Sequence, residues 1–173
     1  DAALAHLNAI LTTADVGIAA NFEKAEVLEE TGKITEAEAL YTRIVENFLN
    51  LGNTPPRNLP YVAKSLEATE HFEDANDVFG TAVKADPQNA EAWLAWGQLF
   101  SKKYDETTAI EKFREALKID SNMPEAHLEV AKNLASTEPE KAEAEFKAAV
   151  EANPKLPEAH LLEASKQIGR AHV

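Results

Sequence analysis

Apolar positions along this chain recur with the period of an α-helix, not the two-residue alternation of a half-buried strand. One triplet returns five times: a small residue, a large one four later, and a small or branched one three after that. It reads Ala3/Leu7/Ile10, Ala37/Tyr41/Ile44, Ala75/Phe79/Ala82, Ala109/Phe113/Ala116 and Ala142/Phe146/Ala149. Successive first members lie 34, 38, 34 and 33 residues apart. Spacings of four and three put the three side chains on one helix face, and alternating small with large lets two helices approach while an aromatic ring fills the gap. A second helical pattern precedes each later triplet. The clearest is AEAWLAWGQLFSKKY, where Trp93, Trp96, Gly97 and Phe100 stand at i, i+3, i+4 and i+7. Each unit is therefore predicted to be helix, turn, helix, with Asp86-Pro87, Asp120-Ser121 and Asn153-Pro154 closing the second helices. The phrase PEAHLEVAKNL at Pro124 and its near copy PEAHLLEASKQI at Pro157 each open such a unit. A repeat period of this length marks stacked units.

ADPQNAEAWLAWGQLF followed by AIEKFREALKID resembles the tetratricopeptide repeat, a helical hairpin of 34 residues. Trp93, Trp96, Gly97, Phe100, Ala109, Phe113 and Ala116 match its slots, with Ser121 where proline is usual. Residues 56–89 match through Leu59, Val62, Ala63, Leu66, Ala75, Phe79, Ala82 and Pro87. Residues 124–156 match through His127, Val130, Ala131, Leu134, Ala142, Phe146, Ala149 and Pro154, one residue short in the turn between helices. Residues 18–51 match least, since Asn21 and Lys24 occupy slots normally apolar. The resemblance implies an all-α, right-handed superhelical solenoid. Its parts are residues 1–17, the second helix of an incomplete unit; repeats at 18–51, 56–89, 90–123 and 124–156; an insertion at 52–55; and a terminal helix and tail at 157–173.

The ends and the insertion add expectations of their own. The chain enters at a second helix (residues 2–13) and begins at Asp1 with neither Met nor a charged-then-apolar leader, which reads as a processed or excised chain. Glu163 and Gln167 replace the apolar slots of Val130 and Leu134, the solvating face a terminal repeat requires. Pro55, Pro56 and Pro60 predict a helix starting at Leu59 behind an Asn58 cap, and the inserted GNTP reads as a change of path or a seam between two sub-arrays.

Composition narrows the function. The chain has 173 residues, 45% of them hydrophobic, with a mean hydropathy of −0.35. Its net charge of −13 repels phosphate backbones, and no Lys/Arg stripe interleaves with aromatics, so nucleic acid is not an expected partner. The absence of Cys excludes disulfides and thiolate chemistry and leaves cytosol and cell envelope both open. Apolar runs are too short to span a membrane.

No Gly-rich phosphate loop, HExxH, GxSxG or Cys/His pair is present, so no catalytic residue, metal ligand or cofactor is expected. His127 and His160 hold the slot of Trp93 in successive units; a repeat apart, about 10 Å, they cannot share a zinc, and each reads as a half-buried residue packing on its second helix. The acidic runs EVLEETGKITEAEA and STEPEKAEAEF lack the spacing of a calcium loop and read as solvated faces. Trp93 and Trp96 read as core packing.

What remains is protein binding. The resemblance implies a concave surface lined by first helices and holding a partner's extended peptide or helix. Its contact slots fall on Arg57, Lys64 and Glu67; Glu91, Leu94, Gln98 and Lys102; Glu125, Leu128 and Lys132; and Glu158 and Leu161. Lys64, Lys102 and Lys132 suggest a groove less negative than the rest, suited to an acidic or carboxylate-bearing peptide. The Lys/Asn/Arg clamp of chaperone-tail-binding members is missing. Its slots hold Phe22, Glu26, Tyr61, Glu91 and Ala95, or Pro60, Lys64, Ala95, Glu125 and Glu129, or Leu94, Gln98, Glu129, Glu158 and Leu162. The expected function is a non-catalytic interaction scaffold. An accessory segment of a larger enzyme or envelope protein, and a unit that self-associates through its N-terminal end, are the alternatives.

Overall fold

A computed structural model describes residues 17–52, 54–103 and 105–157. The described chain is a succession of helical hairpins: α1 (Gly17–Glu30) with α2 (Ile34–Leu51), α3 (Leu59–Ala68) with α4 (Phe72–Ala85), α5 (Ala90–Lys102) with α6 (Glu106–Ile119), and α7 (Pro124–Leu134) with α8 (Pro139–Ala152). A short 3-10 turn, Pro56–Asn58, precedes α3. The fold class is the expected all-α helical-repeat solenoid. The triplet and terminal helix placed at residues 2–13 and 157–169 lie outside the described residues, apart from Pro157.

The four described triplets form the seams of the hairpins. Ala37, Ala75, Ala109 and Ala142 are buried, as are the rings of Tyr41, Phe79, Phe113 and Phe146 and the third members Ile44, Ala82, Ala116 and Ala149. Ala25, Ala63, Gly97 and Ala131 take the facing slot on the first helices, all of them buried. Gly97 is there for space: a Cβ on it would stand 2.4 Å from Cε1 of Phe113, well inside contact distance. The polar slot at Asn21 is satisfied locally, since its Nδ2 donates to Gly17 O at 2.5 Å and its Oδ1 accepts from Arg43 Nη2 at 2.8 Å. Phe22, Ala25 and Leu28 supply the apolar face of α1 instead.

Turn chemistry repeats with the helices. Lys33 N–H donates to Leu28 O and His71 N–H to Leu66 O, each at 2.8 Å, closing the α1–α2 and α3–α4 turns in the same way. The left-handed residue this turn demands is Gly32 (φ 77°) in one case and Glu70 (φ 65°) in the other. The α7–α8 turn, one residue shorter, closes with Glu138 N–H donating to Leu134 O at 2.8 Å. Asn89 and Asp105 cap α5 and α6 by accepting from Ala92 N–H and Thr108 N–H. Pro124 and Pro139 open α7 and α8 at the position where a missing N–H costs nothing.

Two expectations about residues 52–58 are corrected. Helix α3 does start at Leu59, but Asn58 makes no side-chain cap; it is buried inside the 3-10 turn, whose N–H donates to Pro55 O at 2.8 Å. Nor is the insertion a seam. Helix α2 packs directly on α3 across it, and the chain divides into compact units between Pro87 and Gln88. In the first unit α1 packs on α2, α2 on α3 and α3 on α4; in the second the same order joins α5 to α8. First helices also touch within each unit, α1 on α3 and α5 on α7.

Candidate peptide-binding surface

In the first unit the surface is made by α1 and α3. Phe22 of α1 is buried between two rings, Tyr41 of α2 at 5.5 Å and Tyr61 of α3 at 5.6 Å between centroids. Lys64, one turn beyond Tyr61, carries its Nζ 4.9 Å from the Phe22 ring centroid and 3.7 Å from Glu26 Oε1. Glu26, Glu29 and Glu30 line an open cleft of about 370 Å³ on α1. Glu29 is anchored from beneath, because the Tyr41 hydroxyl donates to its Oε2 at 3.1 Å. Burial, reinforced by that carboxylate, pushes the Tyr41 phenol well above the ordinary tyrosine range, so it stays a donor. Arg57 is exposed on the 3-10 turn and Glu67 half-buried on α3.

In the second unit the candidate residues lie on α5 and α7. Glu91 and Lys102 are exposed at the two ends of α5, while Leu94 and Gln98 are half-buried between them. Leu94 packs against the core cluster of Ala109, Phe113, Val130, Leu134 and Ala142. Glu125 and Lys132 are exposed on α7, and Lys132 Nζ lies 2.8 Å from Glu129 Oε1. Leu128 must be withdrawn as a groove contact. It is buried in one core cluster with Ala131, Phe146, Ala149 and Leu156. Glu158 and Leu161, with His160, lie outside the described residues.

The expectation of a locally less negative groove is also revised. Lys64 and Lys132 each have a carboxylate of their own helix or a neighbouring one against the ammonium, so neither presents an uncompensated charge. Glu26, the partner of Lys64, also lines the α1 cleft with Glu29 and Glu30. Reading the run EVLEETGKITEAEA, residues 26–39, as a solvated face missed those three; the signal was their spacing, i, i+3 and i+4, which puts them on one helix face.

The slot shared by Trp93 and His127 changes its chemistry from unit to unit while keeping its partner position. Trp93 and Trp96 are half-buried with ring centroids 5.5 Å apart, and Lys112 of α6 stands 4.1 Å from the Trp96 centroid and 5.9 Å from that of Trp93. One repeat later His127 Nδ1 meets Glu145 Oε2 of α8 at 2.6 Å, and its Nε2 meets Ser121 O at 3.2 Å. His127 thus packs on its second helix. No described helix is long and apolar enough to cross a membrane.

The tetratricopeptide repeat model matches residues 63–124. No curated protein matches the chain by sequence. Among solved structures, TTC0263, a thermophilic TPR protein of Thermus thermophilus, is similar with a TM-score of 0.73 at 18% identity, covering 95% of this chain and 89% of its own. YrrB, described as a TPR protein with an unusual peptide-binding site, is similar with a TM-score of 0.62 at 20% identity, covering 94% and 81%. The first TPR of Spaghetti (RPAP3), bound to the HSP90 peptide SRMEEVD, has a TM-score of 0.60 at 16% identity, covering 67% and 91%. At these identities the likeness is one of fold.

Proposed function

We propose that this chain, whose residues 63–124 match the tetratricopeptide repeat model and whose fold is that of a helical-repeat solenoid, is a non-catalytic interaction module holding a peptide segment of a partner protein against its first helices. Peptide binding by similarly folded proteins supports the class of function. The contact residues follow from the slots that stay accessible: Arg57, Lys64 and Glu67 beside Glu26, Glu29 and Glu30 in the first unit, and Glu91, Leu94, Gln98, Lys102, Glu125 and Lys132 in the second.

One observation sets the expected ligand chemistry. The open cleft of the first unit is lined by three glutamates, and Lys64 of α3 is already paired with one of them. A segment bearing Lys or Arg gains from that field, and an acidic chaperone tail such as SRMEEVD does not. Phe22 and Glu26, sitting where the carboxylate clamp would need Lys and Asn, point the same way. The test is selection of displayed random peptides on the whole chain, repeated on a Glu26→Lys, Glu30→Lys variant. Enrichment of Lys/Arg-bearing sequences that the variant no longer selects is the expected result. Enrichment of acidic sequences, or the same sequences from both proteins, would refute the assignment.

A further inference from the structure

The four extra residues in the second period have a structural consequence that the α1–α3 surface does not use. Helices α4, α6 and α8 have 14 residues each, whereas α2 has 18. The position equivalent to the end of α4 is residue 47, so the additional turn begins at Phe48 and Leu49. Gly52, in the left-handed conformation at φ 61°, then stops the helix. The added turn forms one wall of a second cleft within the first unit. Val45, Phe48 and Leu49 of α2, Leu66 of α3, His71 of the turn, and Asp74, Asp77 and Val78 of α4 enclose about 180 Å³.

The cleft has an apolar floor and a charged lip. Val45, Leu66 and Val78 are buried and Phe48 is half-buried. Leu49, by contrast, is 71% exposed, the more open of the two large exposed apolar side chains among the described residues. Asp74 and Asp77, three apart and exposed, form the opposite lip, and no Lys or Arg lines the cleft. The volume is below the roughly 300–1,000 Å³ of small-molecule sites and suits one or two side chains. Its charge selects the occupant. Two carboxylates beside an apolar floor complement a cation carried close to an apolar anchor. A second copy of a chain with net charge −13 meets like charge there.

We propose that this cleft is a second docking site, taking one apolar side chain of a partner segment that carries Lys or Arg within a helical turn of that anchor. The anchor packs on Phe48, Leu66 and Val78 beneath Leu49, and the cation reaches Asp74 and Asp77. The lengthened α2 is what makes the site, which explains an irregularity the stacking of repeats does not require.

The experiment uses the whole ¹⁵N-labelled chain and a synthetic helix-forming peptide with Leu at i and i+4 and Lys at the flanking positions. Two control peptides replace each Leu by Ser or each Lys by Glu. Amide shifts are expected to concentrate on residues 45–49 and 66–78. Affinity should fall about tenfold or more for the Leu49→Lys chain and for the Ser peptide, since each removes a buried leucine contact. The Glu peptide should not bind. Leu49→Lys is tolerated by an exposed helical position, and circular dichroism checks it. The Glu26→Lys, Glu30→Lys chain should bind as wild type, which separates this site from the α1–α3 surface. Shifts centred on α1, full binding by Leu49→Lys, or equal binding of the Ser peptide would overturn the proposal. So would dimerisation of the free chain that Leu49→Lys abolishes, because the occupant would then be a second copy.

Discussion

Gly97→Ala sets two known effects against each other. Alanine is favoured over glycine inside a helix by about 1 kcal/mol. The new Cβ would lie 2.4 and 2.5 Å from Cε1 and Cδ1 of Phe113, where carbon contacts prefer about 3.5 Å or more. Something must therefore move by about 1 Å. Phe113 cannot swing away, because it is fully buried with Ala109, Val130, Leu134 and Ala142 around it. Helices α5 and α6 must separate instead. Overpacking of this kind costs about 1–3 kcal/mol. Alanine in the same slot at residues 25, 63 and 131 shows that a hairpin can adopt the wider spacing, which argues for the middle of that range. The net expectation is a loss of about 1 kcal/mol, or roughly 2–4 °C in Tm for a chain of this size. The assay is urea and thermal unfolding by circular dichroism on wild type, Gly97→Ala, Phe113→Leu and the double variant. Shrinking the ring should relieve the clash, so the double variant should be more stable than additivity predicts by about 1 kcal/mol. A Gly97→Ala chain more stable than wild type, with additive behaviour in the cycle, would refute the close approach of α5 and α6.

Three further outcomes follow from single contacts. The raised Tyr41 phenol ionises later in the folded than in the unfolded chain, whose tyrosines titrate near ~10; above that pH the unfolded state binds fewer protons, so stability falls as pH rises. Urea midpoints between roughly pH 9.5 and 11.5 should therefore decline more steeply for wild type than for Tyr41→Phe, and parallel curves would contradict the burial of that hydroxyl. Glu70→Gly removes a left-handed residue with a side chain from a turn whose counterpart holds Gly32, and should stabilise by about 0.5–1 kcal/mol in the same unfolding assay. The His127–Glu145 contact at 2.6 Å, with side chains 16% and 30% exposed, should show a coupling of about 1 kcal/mol in a cycle of His127→Gln and Glu145→Gln. Additive losses there would mean the two side chains do not meet in solution.

Much of the fold is legible in the chain because a helical hairpin is a local object. Spacings of three and four residues choose the buried face, and Gly32, Gly52, Pro124, Pro139, Asn89 and Asp105 punctuate it through their own backbone preferences. The one-residue deletion before α8 could likewise be read directly, and it changes one hydrogen bond in one turn. Asn58 escaped such reading: its type suits a cap, but the prolines around it draw it into a buried 3-10 turn.

The surface was less legible, for a physical reason that Leu128 and Lys64 illustrate. A residue's slot says which helix face it occupies, but not how far the next helix extends over it. Leu128 sits in a contact slot and is buried in a core cluster with Phe146 and Ala149 of α8. Lys64 looks like a free cation in sequence and is matched by Glu26, 38 residues away, only because α1 packs on α3. Periodicity and turn residues, acting between neighbours in the chain, determined the helices, their pairing into hairpins and the identity of the seam. Contacts between helices distant in sequence decided that Glu26 meets Lys64, which leucine is lost to the core, and that the extra turn of α2 closes on α4 around a cleft. Those outcomes depend on sums of long-range packing and charge, and no local pattern encodes them.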